Sequence, residues 1–320
     1  MAFETLILHI GRHKTGTSAL QHCLARSGDV LRAQGVIYPA TGRGQTNAHN
    51  PLARQMNPNL TTGSTVPGLM AAIEAERRAA GAETVLISAE GLQNVRHLQR
   101  LRAAVDLLAP RQVVVVCYLR ECVDYAVSAW RQVLQAQRRA VPFGEYLQKF
   151  GDLSVFLARW RAVGDLRLRW FDLARLEGGD ICRDFGRQTG IAGLQPPAGN
   201  VNPSIGGNLL YLLYLANRDG RPFPGYKAMG DLALAHPPFG QGFRIPPELL
   251  AQARRPGGYN ASVEPILGPA PLRDWSGLPD LPDLGSLGAD ALRVDQAILA
   301  AGGAPWTAAL VRDTALVSIL

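Results

Sequence analysis

The sequence predicts an α/β fold in which a central parallel sheet lies between layers of helices. Apolar runs of strand length alternate with segments of helical periodicity as far as residue 217, a pattern typical of parallel strands joined by helices. The strongest run, QVVVVCYL at Gln112–Leu119, is unbroken, as expected for a strand covered on both faces. A glycine-bearing turn, from Gly11 to Gly16, follows the first run. Sheets of this kind bind ligands at the carboxyl ends of their strands, so we expect a site there.

Five segments have the length and composition of strands. Each is rich in apolar or β-branched residues and ends at polar or turn-forming residues. The last of them, LRLRWF, alternates and is expected to be half exposed. The predicted strands are Phe3–His9, Val36–Tyr38, Thr84–Ser88, Gln112–Leu119 and Leu166–Phe171.

Helices are predicted where apolar residues recur every three or four positions. Leu20, Leu24 and Leu31 give this spacing to the first helix, and Gly28 is expected to end it. The stretch Asn47–Leu69 is rich in Asn, Pro, Thr and Gly and is predicted to be a long loop, a feature that is often functional. The predicted helices are Thr17–Ser27, Met70–Ala80, Leu98–Leu108, Val123–Arg139, Gly179–Gln188, Ser204–Asn217, Pro247–Ala253, Ala289–Ala301 and Trp306–Ile319.

The pattern changes beyond residue 217, where proline and glycine become dense. We therefore predict a nucleotide-binding core over residues 1–218. Residues 219–320 are predicted to form an extension of helices and loops that packs on this core. The apolar final segment allows packing on the core or on a second copy, so a homodimer is one of the states we consider.

Length, composition and charge limit the class of protein. The 320 residues are 47% hydrophobic and 18% charged, which excludes wholesale disorder. The net charge is +7, but the arginines are dispersed among acids and no nucleic-acid-binding signature appears, so we expect no nucleic-acid partner. No apolar run reaches the ~18–20 residues of a membrane span, and no export signal is visible. Four scattered cysteines without ligand spacing predict a reducing, cytoplasmic location and no metal site.

Residues 11–18 read GRHKTGTS and lie between the first strand and the first helix. A turn in this position can bind an anion, because backbone N–H groups and the positive end of the helix converge there. Lys14 adds a full positive charge, and Thr15, Thr17 and Ser18 add hydroxyl donors. The motif is not GxxxxGK[ST], since Lys14 precedes Gly16, so it does not support metal-dependent nucleotide hydrolysis. The alternative is an ordinary helix start with incidental polar residues.

A second cationic position follows the strongest strand. Arg120 comes directly after it, and Ser128 lies one to two turns into the next helix. Guanidinium groups make charge-assisted and often bidentate contacts with phosphate, so these two side chains can converge on a second anion. Taken alone, a surface arginine paired with Glu121 or Asp124 is the simpler interpretation.

Together the two motifs resemble the sulfotransferase superfamily, and more narrowly its bacterial branch with HxGxHKTGT[ST]xLQ. The matching runs are HIGRHKTGTSALQ and YLR followed by a serine, and the resemblance spans about residues 4–217. It implies a P-loop-type three-layer fold and the sulfuryl donor 3′-phosphoadenosine 5′-phosphosulfate (PAPS). In that family the first motif binds the 5′-phosphosulfate and the second binds the 3′-phosphate. The cofactor-binding positions predicted on this basis are Arg12, His13, Lys14, Thr15, Gly16, Thr17 and Ser18 in the first motif, and Arg120 and Ser128 in the second.

The resemblance implies transfer of a sulfuryl group, without a metal, to a hydroxyl or amine of a carbohydrate or small metabolite. Lys14 is then expected to stabilise the leaving phosphate. Two residues are candidates for the base: Glu90, which follows the third strand, and His49, in the predicted long loop. Alternatively, Glu90 caps a helix or orients the substrate, and His49 is an exposed loop histidine. Two other functions stay open, a non-catalytic nucleotide-binding protein and a kinase-like phosphotransferase.

Overall fold

A computed structural model describes residues 3–56, 65–95, 98–196, 203–313 and 318–320. Its central feature is a sheet of five parallel strands in the order β2-β3-β1-β4-β5. The predicted α/β class with a parallel sheet is therefore confirmed, and each predicted strand is present with its ends shifted by at most two residues. The strands are β1 (Thr5–His9), β2 (Val36–Ile37), β3 (Thr84–Ser88), β4 (Gln112–Leu119) and β5 (Asp165–Trp170).

Helices connect the strands and make up most of the remaining described chain. They are α1 (Thr17–Arg26), α2 (Gly28–Arg32), α3 (Asn50–Gln55), α4 (Val66–Ala79), α5 (Leu98–Leu108), α6 (Cys122–Ala136), α7 (Phe143–Leu147), α8 (Ser154–Arg161), α9 (Ile181–Thr189), α10 (Gly207–Arg218), α11 (Tyr226–Ala235), α12 (Pro247–Ala253), α13 (Tyr259–Leu267), α14 (Leu287–Ala300) and α15 (Thr307–Asp313). None of the helices in the described ranges is long and apolar enough to cross a membrane.

Helices cover both faces of the sheet in its central part. On one face Ile7 and Val116 pack against Leu24 of α1 and Phe185 of α9. The opposite face carries Leu6 and Leu8. These two are surrounded by apolar residues of α3, α4 and α5: Leu52, Met70, Leu101 and Leu108. Burial on both faces explains why the central strands are continuous apolar runs.

The predicted loop at Asn47–Leu69 is wrong in part. Its beginning forms α3 and its end forms the first turn of α4, whereas residues 57–64 lie outside the described part of the chain. Pro51 lies in the first turn of α3, where its missing N–H costs no hydrogen bond. The Thr65 side chain accepts a hydrogen bond from Gly68 N and so caps α4. Proline and threonine, which suggested a loop, mark helix starts here.

Several predicted helix ends also differ from the structure by one to three residues, and two differences are larger in kind. The prediction that Gly28 ends the first helix is wrong, because α1 ends at Arg26 with Ser27 as its C-cap and Gly28 is the first residue of a second short helix, α2. The final helix was predicted to reach Ile319, but residues 318–320 are not helical. Instead, the Ile319 carbonyl accepts a hydrogen bond from Phe143 N at 2.8 Å. A backbone partner from a distant segment therefore replaces the helical bond at the end of the chain.

The chain divides into two compact units. The first comprises Met1–Glu121, Leu153–Asn200 and Val263–Pro271 and contains the sheet. The second comprises Cys122–Asp152, Val201–Ser262 and Leu272–Leu320, and its described secondary structure is helical. Both units contain residues from either side of position 218, so the predicted boundary between residues 1–218 and 219–320 divides the chain differently and stays a prediction.

Candidate functional site

The loop between β1 and α1 has the backbone geometry of an anion-binding turn. Lys14 and Gly16 both adopt left-handed conformations, with φ of 66° and 72°. Gly16 is also the N-cap of α1 and brings no side-chain cap to the helix. Left-handed residues in a turn gather successive N–H groups into a concave nest, and the helix dipole adds positive potential at the same point. This conformation is compatible with the predicted anion-binding role of the loop, which stays a prediction.

Two glycines of this loop are required by close contacts. A Cβ atom at Gly11 would lie 2.2 Å from Thr17 Cγ2 and 2.8 Å from His9 Cε1. A Cβ atom at Gly16 would lie 2.7 Å from Phe171 Cε2. The loop thus packs directly on β1, on the start of α1 and on the residue after β5.

Three neighbouring strands bring the predicted site residues to one edge of the sheet. β1 lies between β3 and β4, and His9 is in register with Ser88 on one side and Val116 on the other. The loop follows β1, Glu90 follows β3, and Arg120 follows β4. All three positions are therefore at carboxyl ends of adjacent strands, close to where the strand order reverses, which is the usual ligand-binding edge of such sheets.

Phe171 connects the two predicted anion-binding motifs. The Arg120 guanidinium lies over its ring, with 4.8 Å from Cζ to the ring centroid, and the same ring abuts Gly16. The Phe171 N–H donates to the Leu119 carbonyl at 2.6 Å, which fixes the aromatic residue beside the end of β4. A second arginine, Arg12, lies over the ring of Phe156 at 5.3 Å. Cation–π contacts of this kind orient guanidinium groups while leaving their charge in place.

Sequence reasoning missed the role of these two aromatic residues. Phe171 was assigned to the end of the last strand, and Phe156 was not singled out. The signal that was available is the position of Phe171 directly after β5, since residues that follow neighbouring parallel strands meet at the same edge.

Glu90 is tied to the loop through both of its carboxylate oxygens. Oε2 lies 2.8 Å from Nδ1 of His13, and Oε1 accepts a hydrogen bond from the Thr17 hydroxyl. Thr15 closes the loop on itself, because its hydroxyl donates to the Arg12 carbonyl at 2.6 Å. Glu90 is therefore placed at the loop, as predicted, and the structure adds a pairing with His13 that the sequence did not indicate.

His49 is placed differently from the expectation that it is a catalytic base or an exposed loop histidine. It is fully buried, and Nε2 lies 3.1 Å from the Pro39 carbonyl, so this nitrogen carries the proton. Nδ1 accepts a hydrogen bond from Ser88 N at 3.2 Å. Burial lowers the pKa of His49 to about 4. Because the main chain engages both ring nitrogens, this placement argues against the predicted catalytic role of His49.

A second buried histidine lies beneath the loop. His9 is fully buried, and its Nδ1 lies 2.7 Å from the Ser88 hydroxyl, which also accepts from Gln21 Nε2 at 3.2 Å. Burial lowers the pKa of His9 to about 3. His9 Nε2, which is buried without a hydrogen-bond partner, lies against Gly11, so this polar cluster packs at the base of the loop.

The remaining predicted residues differ in accessibility. Ser18 is exposed on the first turn of α1, whereas Thr15 and Thr17 are buried. Ser128 lies half-buried on α6, which belongs to the second unit, so its predicted role in binding phosphate stays a prediction. Within the described ranges, no group of three or more His, Cys, Asp or Glu side chains is arranged to hold a metal ion.

Comparison with known proteins found no matching family model, no matching curated protein and no matching solved structure. What the chain does must therefore be inferred from its own residues.

Proposed function

We propose that the protein transfers a sulfuryl group from PAPS to a hydroxyl or amine of a carbohydrate or small metabolite. The observation that carries this proposal is that the predicted loop and Arg120 follow adjacent parallel strands and both contact Phe171. PAPS carries a 5′-phosphosulfate and a 3′-phosphate on one ribose, so it requires two cationic positions close together at one edge of the sheet. Sequence resemblance alone could not say whether the two motifs lie close enough to serve one ligand.

The residues of the loop match what the reaction requires at the leaving group. The acceptor's lone pair forms the new bond to sulfur, while the bond from sulfur to the 5′-phosphate oxygen breaks and its electrons stay on that oxygen. Lys14 and the N–H groups at Gly16 and the start of α1 are suited to stabilise this developing charge. Loss of one preorganised donor of this kind typically lowers the rate by ~10²–10³. Arg120, held over Phe171, is suited to the 3′-phosphate.

Binding of adenosine 3′,5′-bisphosphate tests the two-site arrangement directly. Calorimetry would compare the wild-type protein with Lys14→Ala and Arg120→Ala. Each variant removes a charge-assisted contact worth about 1.5–3 kcal/mol, so we expect each to weaken binding about 10- to 100-fold. Lys227→Ala, at an exposed position of α11, is the matched control and should bind as the wild type does. If both site variants also retain wild-type affinity, the proposed site is wrong.

Turnover is tested with labelled PAPS and a panel of hydroxyl and amine acceptors. We expect the wild-type protein to release adenosine 3′,5′-bisphosphate at least 100-fold faster than the Lys14→Ala, Arg120→Ala double variant. Tight binding of the bisphosphate without transfer to any acceptor would instead favour the alternative of a nucleotide-binding protein. Preference for ATP with Mg²⁺ over the bisphosphate would favour a phosphotransferase.

A further inference from the structure

The hydrogen bonds around Glu90 fix the tautomer of the adjacent imidazole. A carboxylate oxygen accepts hydrogen bonds, so His13 Nδ1, 2.8 Å from Glu90 Oε2, carries a proton. The other ring nitrogen, Nε2, is then the one with a lone pair. The His13 side chain is 42% exposed and that of Glu90 is 23% exposed, so the imidazole is the more accessible member of the pair.

The same contacts limit what Glu90 itself can do. Its Oε1 accepts from Thr17 and its Oε2 from His13, so both oxygens are engaged with the loop. His49 and His9 are fully buried. Among the residues considered as bases, His13 is thus the one that combines exposure with a proton-accepting nitrogen.

His13 belongs to the same loop as the residue proposed to stabilise the leaving group. It directly precedes Lys14, the residue assigned to the leaving phosphate. Its partner, Glu90, opens the short turn Glu90–Asn94 after β3. The imidazole therefore spans the ends of β1 and β3, next to the loop. Glu90 contacts the imidazole through a hydrogen bond, and the charged residues Arg12 and Lys14 flank His13 in the loop sequence.

Resting on the proposed function, we infer that His13 is the general base of the transfer and that Glu90 is its positioning residue. As the acceptor oxygen or nitrogen bonds to sulfur, its proton passes to His13 Nε2. Glu90 holds the ring through Nδ1–H and balances the positive charge of the imidazolium, which later returns the proton to water. A carboxylate that orients a histidine base is a recurring catalytic arrangement, and general base catalysis contributes typically ~10²–10⁴-fold.

The variant His13→Asn distinguishes the roles of the two ring nitrogens of His13. In His13→Asn the amide can still donate to Glu90, as Nδ1–H does, but no atom can accept the acceptor's proton. We expect kcat to fall by ~10²–10³, with the affinity for adenosine 3′,5′-bisphosphate changed less than threefold. His22→Asn, at a half-buried histidine on α1, is the matched control and should keep the wild-type rate.

Two further measurements distinguish a base from a structural residue. Added imidazole should restore turnover at least tenfold in His13→Ala and have no effect on the wild type. In Glu90→Gln kcat should fall while the KM for PAPS stays within threefold of the wild-type value, because the imidazolium loses its counter-charge. That variant should still bind the bisphosphate.

The possible failures are distinct. If the wild-type protein transfers sulfuryl groups and His13→Asn matches its rate within threefold, the assignment of His13 is wrong while the proposed function stands. The same holds if imidazole fails to rescue a folded, bisphosphate-binding His13→Ala protein. If the wild type neither binds the bisphosphate nor turns over PAPS, the proposed function fails and the assignment of His13 falls with it.

Discussion

Two buried histidines beneath the candidate site should make the first unit sensitive to mild acid. Burial lowers the pKa of His9 from 6.5 to about 3 and that of His49 from 6.5 to about 4. Between pH 6.5 and pH 4, the unfolded chain binds protons at these positions that the folded chain does not bind. The free energy of unfolding therefore falls as the pH falls through this window.

The magnitude follows from the width of the window. Between pH 7 and pH 5 the unfolded histidine gains most of a proton, while the folded one gains almost none. About 1.5 pH units at 1.36 kcal/mol per unit amount to about 2 kcal/mol for His49, and His9 should contribute a similar amount. A combined loss of about 4 kcal/mol is a large part of the 5–15 kcal/mol that stabilises a typical domain.

The variant His49→Asn isolates the contribution of His49 to the pH dependence of stability. Its amide oxygen can accept from Ser88 N, as Nδ1 does, but the amide does not titrate. We expect the variant to be less stable than the wild type at pH 7, yet to lose about 2 kcal/mol less between pH 7 and pH 5. Urea unfolding followed by circular dichroism at both pH values measures the loss of stability in each protein. The carboxylates contribute equally to both losses, so their contributions cancel when the variant is compared with the wild type. His22→Asn serves again as the control for loss of a histidine.

Equal losses of stability in the wild type and in His49→Asn would refute the reasoning. Such a result would mean that His49 titrates in the folded protein much as it does in the unfolded chain. The hydrogen bonds of its ring to the main chain would then not fix a neutral tautomer, and its exclusion as a base would have to be reconsidered.

Two further predictions concern backbone geometry and helix capping. Gly190→Ala, at φ 76° with no neighbour within 4 Å of its Cβ position, should cost about 1 kcal/mol of stability, and Gly16→Ala at least about twice that, because its Cβ also meets Phe171. Thermal unfolding and bisphosphate calorimetry check this, and equal costs at the two glycines would contradict it. Asp295→Ala removes the side chain that accepts from three backbone N–H groups at the start of α15, so hydrogen exchange of α15 amides should rise about 30-fold or more, and unchanged protection would show that the cap is dispensable.

The strands of the sheet could be predicted from the sequence because they are short apolar runs bounded by turn-forming residues. Parallel pairing buries both of their faces. The sequence also indicated the turn between β1 and α1, since Gly11 and Gly16 bound a polar segment between an apolar run and a helical pattern. The short helices were harder. α3 begins at Asn50-Pro51, whose composition suggests a loop until the burial of Leu52 and Ala53 is known.

The sequence indicated which strand ends the candidate site residues follow, but not which of these residues contact one another. Glu90 and His49 were both candidate bases, Glu90 because it follows a strand at the ligand-binding edge and His49 because an unperturbed histidine titrates near neutral pH. Only tertiary contacts separate them: Glu90 meets the loop at His13, whereas His49 is buried with its ring nitrogens on the main chain. Phe171, which contacts both motifs, is fifty-one positions from Arg120 along the chain (171 − 120), so no local pattern could reveal the contact.

The hydroxyl groups of the loop differ in whether they donate hydrogen bonds within the protein or are exposed. A hydroxyl group can donate one hydrogen bond. The Thr15 hydroxyl donates to the Arg12 carbonyl, and the Thr17 hydroxyl donates to Glu90. These two threonines therefore shape the loop and hold the carboxylate, and in this arrangement neither can also donate its hydroxyl hydrogen to a phosphate. Ser18 is the exposed hydroxyl of the motif. Anion binding by the loop should thus rest on Lys14, on the backbone N–H groups and on Ser18, which makes the left-handed conformation at Gly16 as important to affinity as any side chain.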